Sequence, residues 1–354
     1  MRIAKALAVL FFTSAAMANP VITSVTPRFG PVTGGTTVQI HGTGFSNNCI
    51  TCSPPFGDPQ VYFGSALAPS VRYMSPTLIE AVTPPHVPVD VSVSVYQADG
   101  SDPGYDVLND AFSFEGDVYT AFDPLLFPIF MPPVPGQAGS EFVTTARLWN
   151  KGLTGVTFFG YDRTCTLIDP PVSATDRFGL DPRQEYELTL WPECSDSIAK
   201  LFFVPKGNKS LAASLRVSET SKQAQNHGVE IPVVRLEDFS EESIALLDVP
   251  VDPKFRLTMR IYGLNRGSNF VNVSFGNRSL QVPLQHGRTI FEPSYAVVTD
   301  FAPADTAPPS NRQDSMTVLL DSPRGPGDVG SPIWAFITVT NNETQHITTI
   351  TPQQ

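Results

Sequence analysis

Proline and glycine recur so often along this chain, 34 and 25 times in 354 residues, that a helix longer than two turns finds little room. Proline removes an amide donor and fixes φ, while glycine weakens any regular element, so the spacing favours short strands joined by turns. Between the turns stand alternating runs such as Thr37-Val38-Gln39-Ile40-His41. Val38 and Ile40 share one face there, Gln39 and His41 the other, as in a half-buried strand. The fold class expected is all-β.

The first residues read as an export signal. Arg2 and Lys5 make a positive start, Ala6 to Phe12 an apolar run, and Ala16-Met17-Ala18 a small-residue exit. Cleavage is expected before Asn19, so residues 1–18 form a signal peptide. The apolar run is short for a membrane span, no later segment is apolar enough to cross, and His346 to Gln354 reads as a closing strand. The expected address is secreted or cell surface, with the periplasm as a further option.

Removing the 18-residue leader from 354 residues leaves 336, a length suited to two or three domains. Loss of Arg2 and Lys5 moves the formal charge from −11 to −13. That sign opposes attraction to phosphate backbones and argues against nucleic acid as a partner.

Four cysteines in an exported chain are compatible with two disulfides. Sequence order suggests Cys49 with Cys52 and Cys165 with Cys194. The second pair would tie the loop-rich stretch TLIDPPVSATDRFGLDPRQ, and closing a loop of that length contributes on the order of 3 kcal/mol. Cys49-Ile50-Thr51-Cys52 also admits a redox or a zinc reading. The disulfide is favoured, because no helix start lowers a thiol pKa and no second CxxC or paired His completes a metal shell.

The run from Ile22 to Phe45, I-x-x-V-x-P-x-x-G-x-x-x-G-G-T-x-V-x-I-x-G-T-G-F, resembles the signature of IPT/TIG domains, which are immunoglobulin-like. Val61-Tyr62-Phe63-Gly64, Ser75 to Ile79 before Thr83-Pro84, Val91 to Val95 before Asp99-Gly100, and Asp110 to Phe114 follow in the family's order. The resemblance covers residues 20–115 and implies a seven-strand sandwich that serves as a spacer or binding module. It departs from the family in a cysteine-bearing insert at 46–59 and an enlarged hairpin at 101–108 (SDPGYDVL). Both are candidate recognition loops, with simple variation in loop length as the plainer reading.

The remainder carries an internal parallel. Arg147, Leu148 and Trp149 align with Arg260, Ile261 and Tyr262, a shift of 113, and both runs reach Asn-basic-Gly. Ser214 to Ser218 likewise resembles Ala335 to Val339. Two tandem β-sandwiches are therefore expected, at 117–237 and 238–354, completing a chain of tandem immunoglobulin-like sandwiches. Phe127 to Gly136, rich in proline and large apolar residues, is expected to form an edge strand or a brace. The acidic run Glu237 to Glu242 is expected to mark a joint or a short helical turn.

Chemistry is sparse. His41, His86, His227, His286 and His346 are scattered, and neither HExxH nor GxSxG occurs. No catalytic, cofactor-binding or metal residue is assigned. Asp99, Asp102 and Asp106 lack the EF-hand spacing and read as turn carboxylates, with calcium as the lesser alternative. Trp149 and Trp334 are expected in the core, and Trp191 is the tryptophan expected at the surface. The function expected is an exported, non-catalytic binding or structural module that recognises an envelope or extracellular protein or glycan through loops. The alternative is a secreted carbohydrate-active enzyme or its accessory protein.

Overall fold

The computed structural model describes residues 19–47, 57–98, 103–131, 133–135, 139–161, 175–188, 199–220, 228–264, 270–276, 278–287, 289–299, 315–322 and 331–352. The leader, Cys49, Cys52, Cys165, Cys194, Trp191, His227, Asp99 and Asp102 lie outside these residues. The chain divides into two compact units, Met1–Val118 and Tyr119–Gln354. Both are built from sandwiched β-sheets, in agreement with the expected fold class.

The first unit has nine strands: β1 Val21–Thr26, β2 Phe29–Pro31, β3 Thr37–Thr43, β4 Gln60–Phe63, β5 Ala66–Leu67, β6 Ser70–Ser75, β7 Leu78–Val82, β8 Val89–Ala98 and β9 Pro103–Glu115. They form one sheet in the order β1-β3-β7-β6 and another in the order β2-β9-β8-β4-β5. Alternation places Val38, Ile40, Val61, Phe63, Val93, Val95, Phe112 and Phe114 between the sheets in one buried cluster. Gln39 and His41 face out, as their alternation predicts.

The glycines of the opening run are fixed by contact. Gly34 has φ near +69°, and a Cβ there would stand 2.5 Å from the Pro84 carbonyl carbon. Gly42 has no room either: a Cβ would lie 2.1 Å from Val21 O and 2.5 Å from the Phe45 ring, which is buried beneath it. Gly42→Ala is expected to cost about 1–3 kcal/mol, read as a lower urea midpoint, because the obstruction is backbone and aromatic ring rather than a mobile chain end.

The second unit begins with β10 Phe122–Phe127, β11 Val134–Pro135, β12 Glu141–Asn150, β13 Val156–Tyr161, β14 Thr175–Leu180, β15 Glu185–Leu188, β16 Lys200–Pro205, β17 Leu211–Glu219, β18 Val229–Ile231 and β19 Val234–Arg235. It continues with β20 Ile244–Pro250, β21 Phe255–Gly263, β22 Phe270–Phe275, β23 Arg278–Pro283, β24 Ser294–Thr299, β25 Ser315–Asp321, β26 Ile333–Asn341 and β27 Ile347–Ile350. A first sandwich pairs the sheet β14-β13-β16-β10-β19 with the sheet β11-β12-β17-β18, where β15 also pairs β12. A second pairs β20-β25-β22-β23 with β24-β21-β26-β27.

The two sandwiches repeat one topology. β10, β12, β13, β14, β15, β16, β17 and β18 correspond in order and in pairing to β20 through β27. Leu148 and Ile261 are both buried, as the shift of 113 requires. The second half of the alignment is corrected by one residue. Leu148 pairs with Ala213, and Ile261 pairs with Ala335, so Ala213 rather than Ser214 is the counterpart of Ala335.

The outer faces of the paired repeats differ. Tyr262 pairs with Trp334, the rings stack 6.2 Å apart, and the Tyr262 hydroxyl donates to Pro128 O in the first sandwich. The proline-rich segment is thus a brace, and Val134–Pro135 within it pairs as a short edge strand with β12. Lys200 Nζ and Glu292 Oε1 form a buried ion pair at 2.9 Å, beside a backbone bond from Leu201 N to Phe291 O. Leu236–Asp238, at the start of the acidic run, is a turn of 3-10 helix.

Burial holds the Tyr262 phenol well above its usual value. Its folded-state value therefore exceeds its unfolded value, and the associated stability is complete below about pH 10 and lost as pH rises beyond it. The expected result is a fall in thermal midpoint above that pH that is shallower in Tyr262→Phe. At neutral pH the same variant should lose about 1–3 kcal/mol by leaving Pro128 O without its donor.

Candidate functional site

The five-stranded sheet of the first unit turns its outer face to solvent, and that face gathers aromatic side chains. Alternation sends Val93 and Val95 of β8 and Val61 and Phe63 of β4 inward, so Ser94, Tyr96, Gln60 and Tyr62 stand outward. Register assembles them into rows. Gln60 pairs with Tyr96, and Tyr96 with Tyr105. One step along, Leu67 pairs with Tyr62, Tyr62 with Ser94, and Ser94 with Val107. Tyr105 is 65% exposed, and Val107 and Leu67 are each 40% exposed.

No residue in these two rows carries a charge. Tyr96 and Tyr105 are directly opposed across the two strands, an arrangement that brings Cβ atoms to about 4.5–5.5 Å. The Tyr62 hydroxyl donates to Gln60 Oε1 at 3.1 Å. Tyrosine offers a rigid apolar ring and a polar tip, a combination suited to recognition rather than to chemistry.

Both candidate recognition loops adjoin the first row. The 101–108 stretch is corrected: from Pro103 it is strand, and Gly104 to Leu108 pair with Val93 to Gln97. Tyr105 and Val107 are consequently face residues. Asp106 projects the other way, and its Oδ2 accepts the Ile22 amide at 2.6 Å, so this carboxylate ties β9 to β1. For the insert, residues 48–56 lie outside the described residues, but its roots are fixed. Gln97 Oε1 accepts from Ser46 N at 2.9 Å, Gln97 Nε2 donates to Gly44 O at 2.7 Å, and Asp58 Oδ1 accepts from Tyr73 N at 3.0 Å.

The other singled-out residues do not converge. His41 lies on the opposite sheet and is exposed. His86 is buried, stacked 4.8 Å from Phe114, with Nδ1 2.9 Å from Val87 O. His286 Nδ1 is 3.2 Å from Ser294 Oγ. Among the described residues no three His, Cys, Asp or Glu side chains are grouped to hold a metal ion. Trp334 is core, but the expectation for Trp149 is corrected: it is 43% exposed. Its cross-strand partners are Ala212 and Glu185, where Tyr262 has Trp334 and Tyr295.

Residues 20–113 match the family model of the IPT/TIG domain. This segment is an IPT/TIG domain. Its match encloses the whole of the two tyrosine rows, so the candidate face belongs to the IPT/TIG domain. None of the curated proteins matches the chain. Among solved structures, the chain is similar to an auxiliary nutrient binding protein from Bacteroides ovatus, at 12% identity and a TM-score of 0.23. That alignment covers 60% of this chain and 45% of the other. No helix among the described residues is long and apolar enough to cross a membrane.

Proposed function

We propose that this protein is an exported, non-catalytic binding module that engages an envelope or extracellular protein or glycan through the outer face of its IPT/TIG domain. The observation that carries the reading is the pair of cross-strand rows holding Tyr62, Tyr96, Tyr105, Leu67 and Val107 without a charged group. An outer strand face is ordinarily polar, and this one groups exposed Tyr105, Val107 and Leu67 with half-buried Tyr62 and Tyr96, as an interaction surface does. Export rests on the basic, apolar and small-residue sequence of residues 1–18. The non-catalytic reading draws on the dispersal of the histidines and on the finding that, among the described residues, no three His, Cys, Asp or Glu side chains are grouped to hold a metal ion. Recognition is assigned to a strand face flanked by loops rather than to the loops alone.

The test is retention of the exported protein on the envelope and extracellular matrix of its own cells. Tyr105→Ala and Val107→Ser are expected to abolish retention, while His41→Ala, on the opposite sheet, leaves it unchanged. Equal retention by all three variants would remove the assignment. The second reading, an accessory chain of a carbohydrate-active enzyme, predicts co-purification with a glycan-cleaving partner.

A further inference from the structure

We propose that the ligand of the tyrosine face is an uncharged polysaccharide chain lying across β4, β8 and β9. This rests on the reading of that face as the binding surface. Three properties of the face select the ligand class. The first is charge. The two rows contain no Lys or Arg, and the chain carries a formal charge of −11, so a polyanion finds no cation to neutralise its charges and meets net repulsion. The second is extent. A stable protein interface takes roughly 20–30 residues a side, and the rows supply seven. Toward the other end of the sheet Asp90, paired with Ser113, restores charge. The two rows are thus smaller than the surface that a second copy of this chain or a folded partner would cover.

The third property is chemistry. A sugar ring presents a C–H face and a rim of hydroxyls. Aromatic rings take the first, and phenol, amide and serine hydroxyl groups take the second. Tyr96 and Tyr105 are paired on neighbouring strands, Tyr62 is one step along on β4, and Ser94 on β8 stands between Tyr62 and Val107. With Tyr62 donating to Gln60 Oε1, the Gln60 amide nitrogen is left to donate to a ligand hydroxyl.

Native affinity electrophoresis of the exported protein tests this, with starch, xyloglucan, β-1,3-glucan and mannan as uncharged probes and alginate and polygalacturonate as acidic ones. Retardation by at least one uncharged probe and by neither acidic probe is expected. Tyr105→Ala and Tyr96→Ala should weaken it by about tenfold or more, whereas Tyr105→Phe, which keeps the ring, should stay within about threefold. Because Tyr105 is largely exposed, an unchanged melting transition in each variant separates lost binding from lost folding. Retardation that Tyr105→Ala leaves intact, retardation by the acidic probes, or none by any uncharged probe would overturn the proposal. If that happens while Tyr105→Ala still abolishes envelope retention, the binding face stands and the glycan assignment falls. If Tyr105→Ala changes neither, both fall.

Discussion

Lys200→Met should destabilise the C-terminal unit by about 3–5 kcal/mol, because it removes one partner of a buried ion pair. Lys200 Nζ lies 2.9 Å from Glu292 Oε1, and the two side chains are only 3% and 12% exposed. The pair joins the two sandwiches where Leu201 N donates to Phe291 O and where the Phe203 and Phe291 rings meet at 5.8 Å. Chemical denaturation should show the loss directly. The double variant Lys200→Met with Glu292→Leu should recover most of it, since an apolar pair of similar volume is often neutral or better than a buried ion pair. A single variant that loses less than about 1 kcal/mol, the range of an exposed pair, would show that this contact is solvated.

A loss of similar size is expected in the IPT/TIG domain from Phe112→Ala, about 3–5 kcal/mol. Phe112 is fully buried on β9 and meets Phe63 edge-on at 5.3 Å and Phe114 at 5.0 Å. These three rings bridge β4 and β9, two of the strands that carry the tyrosine rows on their outer side. Deleting the ring should therefore lower the denaturation midpoint and, short of unfolding, weaken binding through the face. A conservative Phe112→Leu should cost less and leave binding near its original strength, because it keeps most of the apolar volume.

How much of this was legible in the sequence depends on whether a residue is fixed by its neighbours in the chain or by a distant surface. Gly34 and Gly42 were legible because backbone geometry admits no side chain there, which keeps the opening signature recognisable. The strand character of Pro103 to Leu108 was missed because proline, glycine and aspartate imitate a turn. Gly104 marks a close approach instead: a Cβ there would stand 3.0 Å from Pro20. Alternation of Tyr105 and Val107 against Asp106 and Leu108 was the available signal, and it was the signal that would have exposed the candidate face.

The repeat shows the same division. Strand β12 aligned correctly with β21 because Leu148 lies between exposed neighbours, and Leu257, Met259 and Ile261 are buried with half-buried Thr258 and Arg260 between them. Strand β26 slipped by one because Ile333 to Ile337 are buried on both faces, so no period of two sets the register. Trp149 and Tyr262 are both aromatic at equivalent positions, yet only Tyr262 is covered, and the covering segment around Pro128 is far away in sequence. No local pattern encodes which copy of a repeated face is covered.

The central claim is that the outer tyrosine face of the IPT/TIG domain is where this protein meets its ligand. The most direct test replaces Tyr105 with a benzophenone-bearing photo-crosslinking residue in the exported protein, with the same residue at His41 on the opposite sheet as the reference, and irradiates intact cells. The account predicts a discrete adduct from position 105 and none from position 41. An adduct from position 41 alone, equal adducts from both, or none from position 105 would contradict it.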